Sequence, residues 1–375
     1  KFDGLQIGSF FATMGIASLF MPAVMGIIAD RWIPAQRLLG LCHLFAAGFI
    51  TLAATRTDYN SLYTLVLLSV MFYMPTIALS NSVAYNALEK AGLDTVTHFP
   101  PIRVWGTVGF ICAMWVVDLG KMGLSATQLY FSATLGLILG LYSFTLPNCP
   151  INRSGGGKSI VDLLGLRAFA LFKQRKMAIF FIFSMLLGMS LQITNAFADG
   201  YIKSFGDTGI HGAKYLGTFG VEHSTILISL SQISETLCIL LIPFFLKRFG
   251  IKRVMLIAMF AWVLRFALLG AGNPGPGVWM FILSMIVYGV AFDFFNISGS
   301  LFVEKETSAA IRSSAQGVFM IMTNGLGALI GSYLAGWIVN HYGWPLSWYL
   351  FAGFSLVVAI VFAVIFKYKH DPNRI

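Results

Sequence analysis

Two acidic side chains lie inside long apolar stretches of this sequence, where charge is rare. Glu235 falls near the middle of the stretch 223–246 and Asp293 deep in the stretch 278–303, whereas the other thirteen of the fifteen acidic residues lie in loops or near stretch ends. A charge inside the hydrocarbon layer of a membrane costs at least about 2.5–3.5 kcal/mol, so it is a functional candidate by default. A carboxyl that binds a proton on one side of a membrane and releases it on the other suits a proton-coupled carrier.

Two basic side chains are candidates to act with these acids. Arg265 lies in the apolar stretch between them and could neutralise either one, which is the purely structural alternative for both acids. Arg103 shares a helix face with Thr107 and Phe110, at spacings of four and three residues. An anchor at the membrane interface, with the charged end reaching towards water, is the alternative for Arg103.

Amide and aromatic side chains recur near the acids at the spacing of one helix face. Residues three or four apart lie on the same side of an α-helix. Three faces fit this spacing: Gln192 with Asn195, Gln232 with Glu235, and Tyr288 with Phe292, Asp293 and Asn296. Amides also join helices within membranes, which is the alternative for each one alone. Together the three faces favour a polar cavity between helical bundles.

The chemistry of these groups suggests the class of solute. Amides offer paired donors and acceptors to a planar edge, aromatic rings stack on planar rings, and charged groups bind hydroxyls. A nucleoside makes all three demands, and a disaccharide meets them less well. Residue spacing does not separate the two.

The elements that hold these residues follow from composition. Of the 375 residues, 57% are apolar and 11% are charged, against about 25% charged in a soluble domain. Several apolar stretches reach the roughly 20 residues that a helix needs to cross a membrane, and no alternating pattern of a membrane β-barrel is present. The sequence therefore predicts an all-α polytopic membrane protein.

Eleven spans and one long polar interruption organise the chain. The interruption, 147–176, contains a Gly-rich segment and then an amphipathic stretch, 160–172, that is typical of a helix on the membrane surface. We expect an N-terminal bundle over 1–146, this cytoplasmic linker, and a C-terminal bundle over 177–375. The predicted spans are 7–29, 38–54, 61–86, 101–119, 125–146, 177–197, 223–246, 253–271, 278–303, 311–339 and 346–367.

Basic residues predict the orientation of the spans. Alternate loops from 30–37 to 367–375 hold 19 of the 25 Lys and Arg residues, whereas the opposite set holds five. Basic loops face the cytoplasm, so the net charge of +10 belongs to the inner membrane face and nucleic-acid binding is not needed to explain it. The C-terminus is then cytoplasmic and Lys1 external, without a signal peptide. We therefore expect that a first helix of twelve precedes this sequence, with a natural eleven-helix protein as the alternative.

Residues for enzymatic or metal chemistry are scattered. The four cysteines form no CxxC pair and the six histidines show no metal-ligand spacing. A multi-pass membrane enzyme would need a nucleophile–base pair or a metal cluster, and the sequence offers neither pattern. We expect no enzymatic activity, no metal and no cofactor.

Several motifs resemble those of one known family. They are PPIRVWGTVGF (100–110), MAIFFIFSMLLG (177–188), LQITN (191–195), SQISET (231–236), PFFLKRFGIK (243–252), SMIVYGVAFDFFNISGSLFVEKE (284–306) and IRSSAQG (311–317). The chain resembles, over essentially its whole length, the nucleoside:proton symporters of the major facilitator superfamily, in the group of bacterial nucleoside and xanthosine permeases.

The resemblance implies a fold, a site and a setting. It implies the major facilitator fold, with two helical bundles, twelve helices and a bacterial inner-membrane location, and proton-coupled import of nucleosides by alternating access. The implied substrate-binding residues are Arg103, Thr107, Phe110, Gln192, Asn195, Gln232, Glu235, Tyr288 and Phe292. Asp293 and Glu235 match acids implicated in proton coupling. We expect nucleoside, protons and lipid as partners of a monomer, with a proton-coupled disaccharide symporter as the alternative.

Overall fold

The fold is known for most of the chain. The computed structural model describes residues 2–93, 95–123, 125–151, 166–207, 214–307 and 312–368, and these residues form helices and no strand. The first half contains helices α1 to α5: Gly4–Arg31, Ala35–Ala53, Tyr59–Lys90, Thr95–Leu119 and Thr127–Ser143. The second half contains α6 to α11: Arg175–Ser204, Ser224–Ala271, Val278–Glu306, Arg312–Met320, Ala328–Tyr342 and Trp344–Ile365. A π-helical turn, Ile321–Gly327, joins α9 to α10.

The all-helical class is confirmed, and each predicted span overlaps a helix in the described part of the chain. Two predicted spans lie within α7, which Gly250 divides because its φ of 74° is not helical. In the described part of the chain, eight helical stretches are long and apolar enough to cross a membrane, and two of these, Ser224–Ala271 and Ala315–Ile365, have 48 and 51 residues. Each of the two is about twice the length of one crossing. The count of eleven crossings stays a prediction.

The predicted linker is described only in part. Residues 152–165, which hold the Gly-rich segment and the start of the predicted surface helix, lie outside the described residues, as do 369–375 at the predicted cytoplasmic C-terminus. The described remainder of the surface segment, Leu166–Lys173, is a 3₁₀ helix. Its ring of Phe169 stacks on that of Phe172, which in turn stacks on Phe181 of α6. The segment is thus packed against the C-terminal helices.

Two helix starts in the first half are stabilised by local acids. Asp3 Oδ1 accepts a hydrogen bond from the backbone N–H of Gln6 at 2.7 Å, and the Gln6 side chain accepts from the backbone of Asp3 at 3.1 Å. Asp58 accepts from the backbone of Ser61 at 2.8 Å, and hydrogen bonding to Ser61 lowers the pKa of Asp58. These bonds satisfy N–H groups that have no partner within the helix.

The buried apolar side chains form two separate clusters. The larger cluster draws on the helices after the linker, from Leu171 to Phe366, and is rich in aromatic rings. The smaller cluster draws on α1, α2 and α3 with Cys149. Ile7 and Phe11 of α1 also pack against the larger cluster, so α1 contacts both halves. The boundaries of the two expected bundles stay a prediction.

Glycines allow helix backbones to approach closely at two interfaces. A side-chain carbon at Gly188 of α6 would lie 2.8 Å from the backbone carbonyl carbon of Thr323 in the π turn, closer than real contacts allow. Gly15 of α1 has the same role against α10, because a carbon there would lie 2.6 Å from the backbone nitrogen of Leu329. Small residues of this kind are the usual device for packing membrane helices.

The Gly188 contact predicts a specific loss of stability. We expect Gly188→Ala to lower the thermal unfolding temperature of the purified protein, because the added methyl must push α6 from the π turn at a cost of about 1–3 kcal/mol. Gly200→Ala on the same helix is the control, since nothing lies within 4 Å of a carbon added there. Thermal unfolding in detergent measures both. Equal unfolding temperatures in the two variants would contradict this packing.

Candidate functional site

An aromatic stack on α8 lies at the centre of the candidate site. The rings of Tyr288 and Phe292 are stacked, with 5.8 Å between centroids and 17° between planes. The ring of Trp262 meets Tyr288 edge-on, with 6.0 Å between centroids. The four-residue spacing therefore does bring Tyr288 and Phe292 to one face. Trp262, from the second part of α7, completes the aromatic group.

Arg265 is fully buried beside this stack. Its guanidinium lies 4.7 Å above the ring of Tyr288, and Nη1 donates to the backbone carbonyl of Ser284 at 2.5 Å. The hydroxyl of Ser284 donates in return to the Arg265 carbonyl at 3.1 Å. Among the described residues no carboxylate forms an ion pair with Arg265. The structural alternative, in which Arg265 pairs directly with Glu235 or Asp293, is therefore not what this structure contains.

The two candidate acids belong to one electrostatic group. Asp293 is 3% exposed, and its Oδ2 finds no hydrogen-bond partner in the described part of the chain. The charge of Glu235 acts on Asp293, and the charges of both acids act on Tyr288. The charge of Arg103 acts on Glu235 from α4. The group thus joins a helix of the first half to two helices of the second.

A cavity opens beside Phe292. Its accessible volume is about 20 Å³, which holds about one water and is far below the range for small-molecule sites. Three elements of the second half and Trp262 of α7 form its walls. The lining residues are Leu187, Gly188 and Leu191 of α6, Ala291, Phe292, Phe295 and Asn296 of α8, and Thr323 and Asn324 of the π turn.

The predicted amides are not among the residues that line this cavity. Gln192 follows the lining residue Leu191, is buried, and has an Nε2 without a hydrogen-bond partner among the described residues. Gln232 is half-buried on α7, three residues before Glu235, and Asn195 is exposed on α6. Of the predicted substrate-binding residues, Phe292 is the one that lines the cavity itself.

The predicted residues of α4 are more open. Arg103 and Phe110 are exposed, with Phe110 at 53%, and Thr107 is half-buried. Arg103 is the member of this face that the structure connects to the acids, through its electrostatic effect on Glu235.

Sequence reasoning named Phe292 and Asn296 but none of the other residues that line the cavity. Trp262, Thr323 and Asn324 line the cavity but were not predicted as site residues. Thr323 and Asn324 form a polar pair within the apolar stretch 311–339, and that pair was the available signal. Trp262 carried no signal, because an aromatic ring within an apolar span is usually a packing residue.

The halves also meet at the far end of α4. Asp118 Oδ2 lies 2.6 Å from His223 Nδ1, and its other oxygen accepts from the backbone of Thr225 at 3.2 Å. Trp115 Nε1 donates to the hydroxyl of Ser229 at 2.9 Å. The Asp118 side chain is 3% exposed. These contacts fasten α4 to the start of α7, on the same two helices that bring Arg103 near Glu235.

Comparison with known proteins decides the family. The family profile described as "Nucleoside H+ symporter" matches residues 1–371. The chain belongs to this family of nucleoside H⁺ symporters. It is therefore a membrane transporter and not an enzyme, as the sequence predicted.

Individual relatives agree with this assignment. Nucleoside permease NupG of Escherichia coli is 51% identical over 377 residues, covering 99% of this chain and 89% of the relative. Xanthosine permease of the same organism is 49% identical over 381 residues, covering 100% of this chain and 90% of the relative.

Solved structures confirm the fold. A crystal structure of nucleoside transporter NupG superposes with a TM-score of 0.90 at 51% identity, covering 98% of this chain and 92% of the other. The xylose transporter XylE of E. coli superposes with a TM-score of 0.64 at 12% identity, covering 96% and 88% of the two chains. The second likeness concerns the fold alone. The expected major facilitator fold is confirmed.

Proposed function

We propose that this chain imports nucleosides together with protons by alternating access, driven by the proton gradient and without a cofactor. The observation that carries the proposal is the group of buried Asp293 and Tyr288 with half-buried Glu235, on which Arg103 acts from the other half. A charge group shared between the halves can respond to a proton and to a solute at once. Relatives named as nucleoside and xanthosine permeases support the nucleoside as solute.

The substrate roles follow from the chemistry of each side chain. We assign recognition of the base edge to the amides Gln192, Asn195 and Gln232. Phe110 and Phe292 would stack on the base, since aromatic rings bind planar rings face to face or edge to face. Arg103, Glu235 and Tyr288 would contact the ribose hydroxyls, with Thr107 beside Arg103 on α4. The unpartnered Nε2 of buried Gln192 supports a ligand role for that residue.

Asp293 and Glu235 are the proposed proton carriers. The Oδ2 of Asp293 lacks a partner among the described residues, so a proton bound there would remove a buried charge without breaking a protein contact. The Glu235 charge is balanced in part by Arg103. Because a ligand shifts a conformational equilibrium only through different affinity for the two states, each acid must bind its proton more tightly in one state.

The contacts between α4 and α7 suggest which end is closed. Asp118, His223 and Trp115 lie near predicted external loops, and Gly4 of α1 donates from its backbone to Asn340 Oδ1 at 2.7 Å near the same side. We propose that this end faces outward and is closed, while the C-terminus is cytoplasmic. The setting would be the bacterial inner membrane, with the protein acting as a monomer in lipid.

The proposal predicts solute-specific uptake driven by a pH gradient. We expect membrane vesicles containing the protein to accumulate radiolabelled uridine faster when the outside is more acidic. Unlabelled nucleosides should compete, because they would occupy the same cavity, and disaccharides should not. Vesicles without the protein are the control. Competition by disaccharides with none by nucleosides would instead support the sugar symporter.

Removing the proton site at Asp293 should separate transport from its driving force. Asparagine keeps the shape of the side chain but does not titrate, so we expect Asp293→Asn to lose the acceleration of uptake by a pH gradient. Exchange of labelled for unlabelled nucleoside, which needs no net proton movement, should continue. Asp58→Asn is the matched control, since asparagine also caps a helix. A variant at 293 that still responds fully to the gradient would rule out Asp293 as the obligatory carrier.

A further inference from the structure

The cavity beside Phe292 contains two amides that the assigned roles do not use. Asn296 of α8 and Asn324 of the π turn both line it. No hydrogen bond from another described residue reaches the Asn296 side chain, and Asn324 makes one weak contact, from Nδ2 to the sulfur of Met320 at 3.8 Å. Their hydrogen-bonding capacity is therefore largely unused. Both side chains are half-buried, so water or a bound solute must supply their remaining hydrogen bonds.

The π turn holds Asn324 in place. Gly327 packs against α6, where an added carbon would lie 2.6 Å from the Met185 carbonyl oxygen, and Gly325 packs against Leu19 of α1. The hydroxyl of Thr323 donates to the Phe319 carbonyl at 2.9 Å, which occupies its proton within the helix. Asn324 makes no such bond to a backbone carbonyl among the described residues, and it lines the cavity. π turns are rare and are frequent at functional sites.

Asn296 lies close to the aromatic stack along α8. It follows Phe292 by four residues, so it lies one turn further along the same face of α8. A planar ring stacked on Phe292 would present its edge to that turn. Asn324 reaches the same cavity from a different helix. Two amides from two walls can together offer donors and acceptors to one polar edge.

We propose that Asn296 and Asn324 bind the polar edge of the nucleobase that stacks on Phe292 when the cavity widens in another state of the transport cycle. The proposal rests on the proposed transport of nucleosides and adds two specificity-determining residues to it. The edge in question carries adjacent donors and acceptors, as a pyrimidine does at its carbonyl and ring N–H. The π turn, which also packs against α1, would contribute the amide of Asn324 to this contact with the base.

The test is nucleoside binding by the purified protein, measured calorimetrically with uridine. We expect Asn296→Ala and Asn324→Ala each to weaken uridine binding by about tenfold, the effect of losing one good hydrogen bond. Asn324→Asp keeps the size of the side chain but loses its donor, so it should also weaken binding even if the alanine variant folds poorly. Asn60→Ala, at an exposed amide of α3, is the control and should bind as the unaltered protein does.

Uridine analogues distinguish the base edge from the ribose. The unaltered protein should bind 3-methyluridine and 2′,3′-dideoxyuridine more weakly than uridine. In the Asn296 and Asn324 variants the penalty for the methyl group on the ring nitrogen should largely disappear, whereas the penalty for the missing hydroxyls should remain.

Three results would overturn the proposal. Uridine binding that is unchanged in Asn296→Ala and in both Asn324 variants would show that these amides do not contact the solute. A second result would be variants that bind 2′,3′-dideoxyuridine as well as uridine while still binding 3-methyluridine more weakly. That result would assign these amides to the ribose. If the unaltered protein bound no nucleoside, the proposed function would fail together with this inference, and that outcome is recognised before any variant is measured.

Discussion

The structure depends on one constraint, which is that a polar group inside the membrane must find its partner within the protein. Helices satisfy the backbone, and most buried side chains follow the same rule. Arg265 bonds to the Ser284 carbonyl and lies over the ring of Tyr288. Gln192 Nε2 and Asp293 Oδ2 depart from it, since neither has a partner among the described residues. They are two of seven such buried side-chain atoms in the described part of the chain, and at these two a solute or a proton can supply what the protein does not.

The same helices carry the site and the contact between the halves. Arg103 of α4 acts on Glu235 of α7, and at the other end of α4 Asp118 contacts His223, the residue just before α7. A change in the charge of Glu235 therefore acts on a helix pair whose far end is fastened by the contact of Asp118 with His223. In our proposal this shared pair connects proton and solute binding to the opening of the outer end.

Local pattern explains what could be predicted from the sequence. Apolar length located the helices, and a spacing of four correctly predicted that Tyr288 and Phe292 share a face. Partners across helices could not be predicted in this way, because spacing along one helix says nothing about its neighbour. The partners of Arg265, the role of Trp262 beside Tyr288, and the π turn that brings Asn324 to the cavity all depend on such contacts. The family resemblance supplied residue positions, while the arrangement of walls around the cavity needed the structure.

Coupling of the two solutes is the central claim, and proton movement caused by nucleoside movement tests it most directly. The protein would be placed in liposomes that contain a pH-sensitive dye, with no pH gradient at the start. We expect that uridine added outside acidifies the interior, because each nucleoside that enters by symport brings protons with it, and that liposomes without the protein show no change. Uridine that enters through the protein while the internal pH stays constant would contradict proton symport.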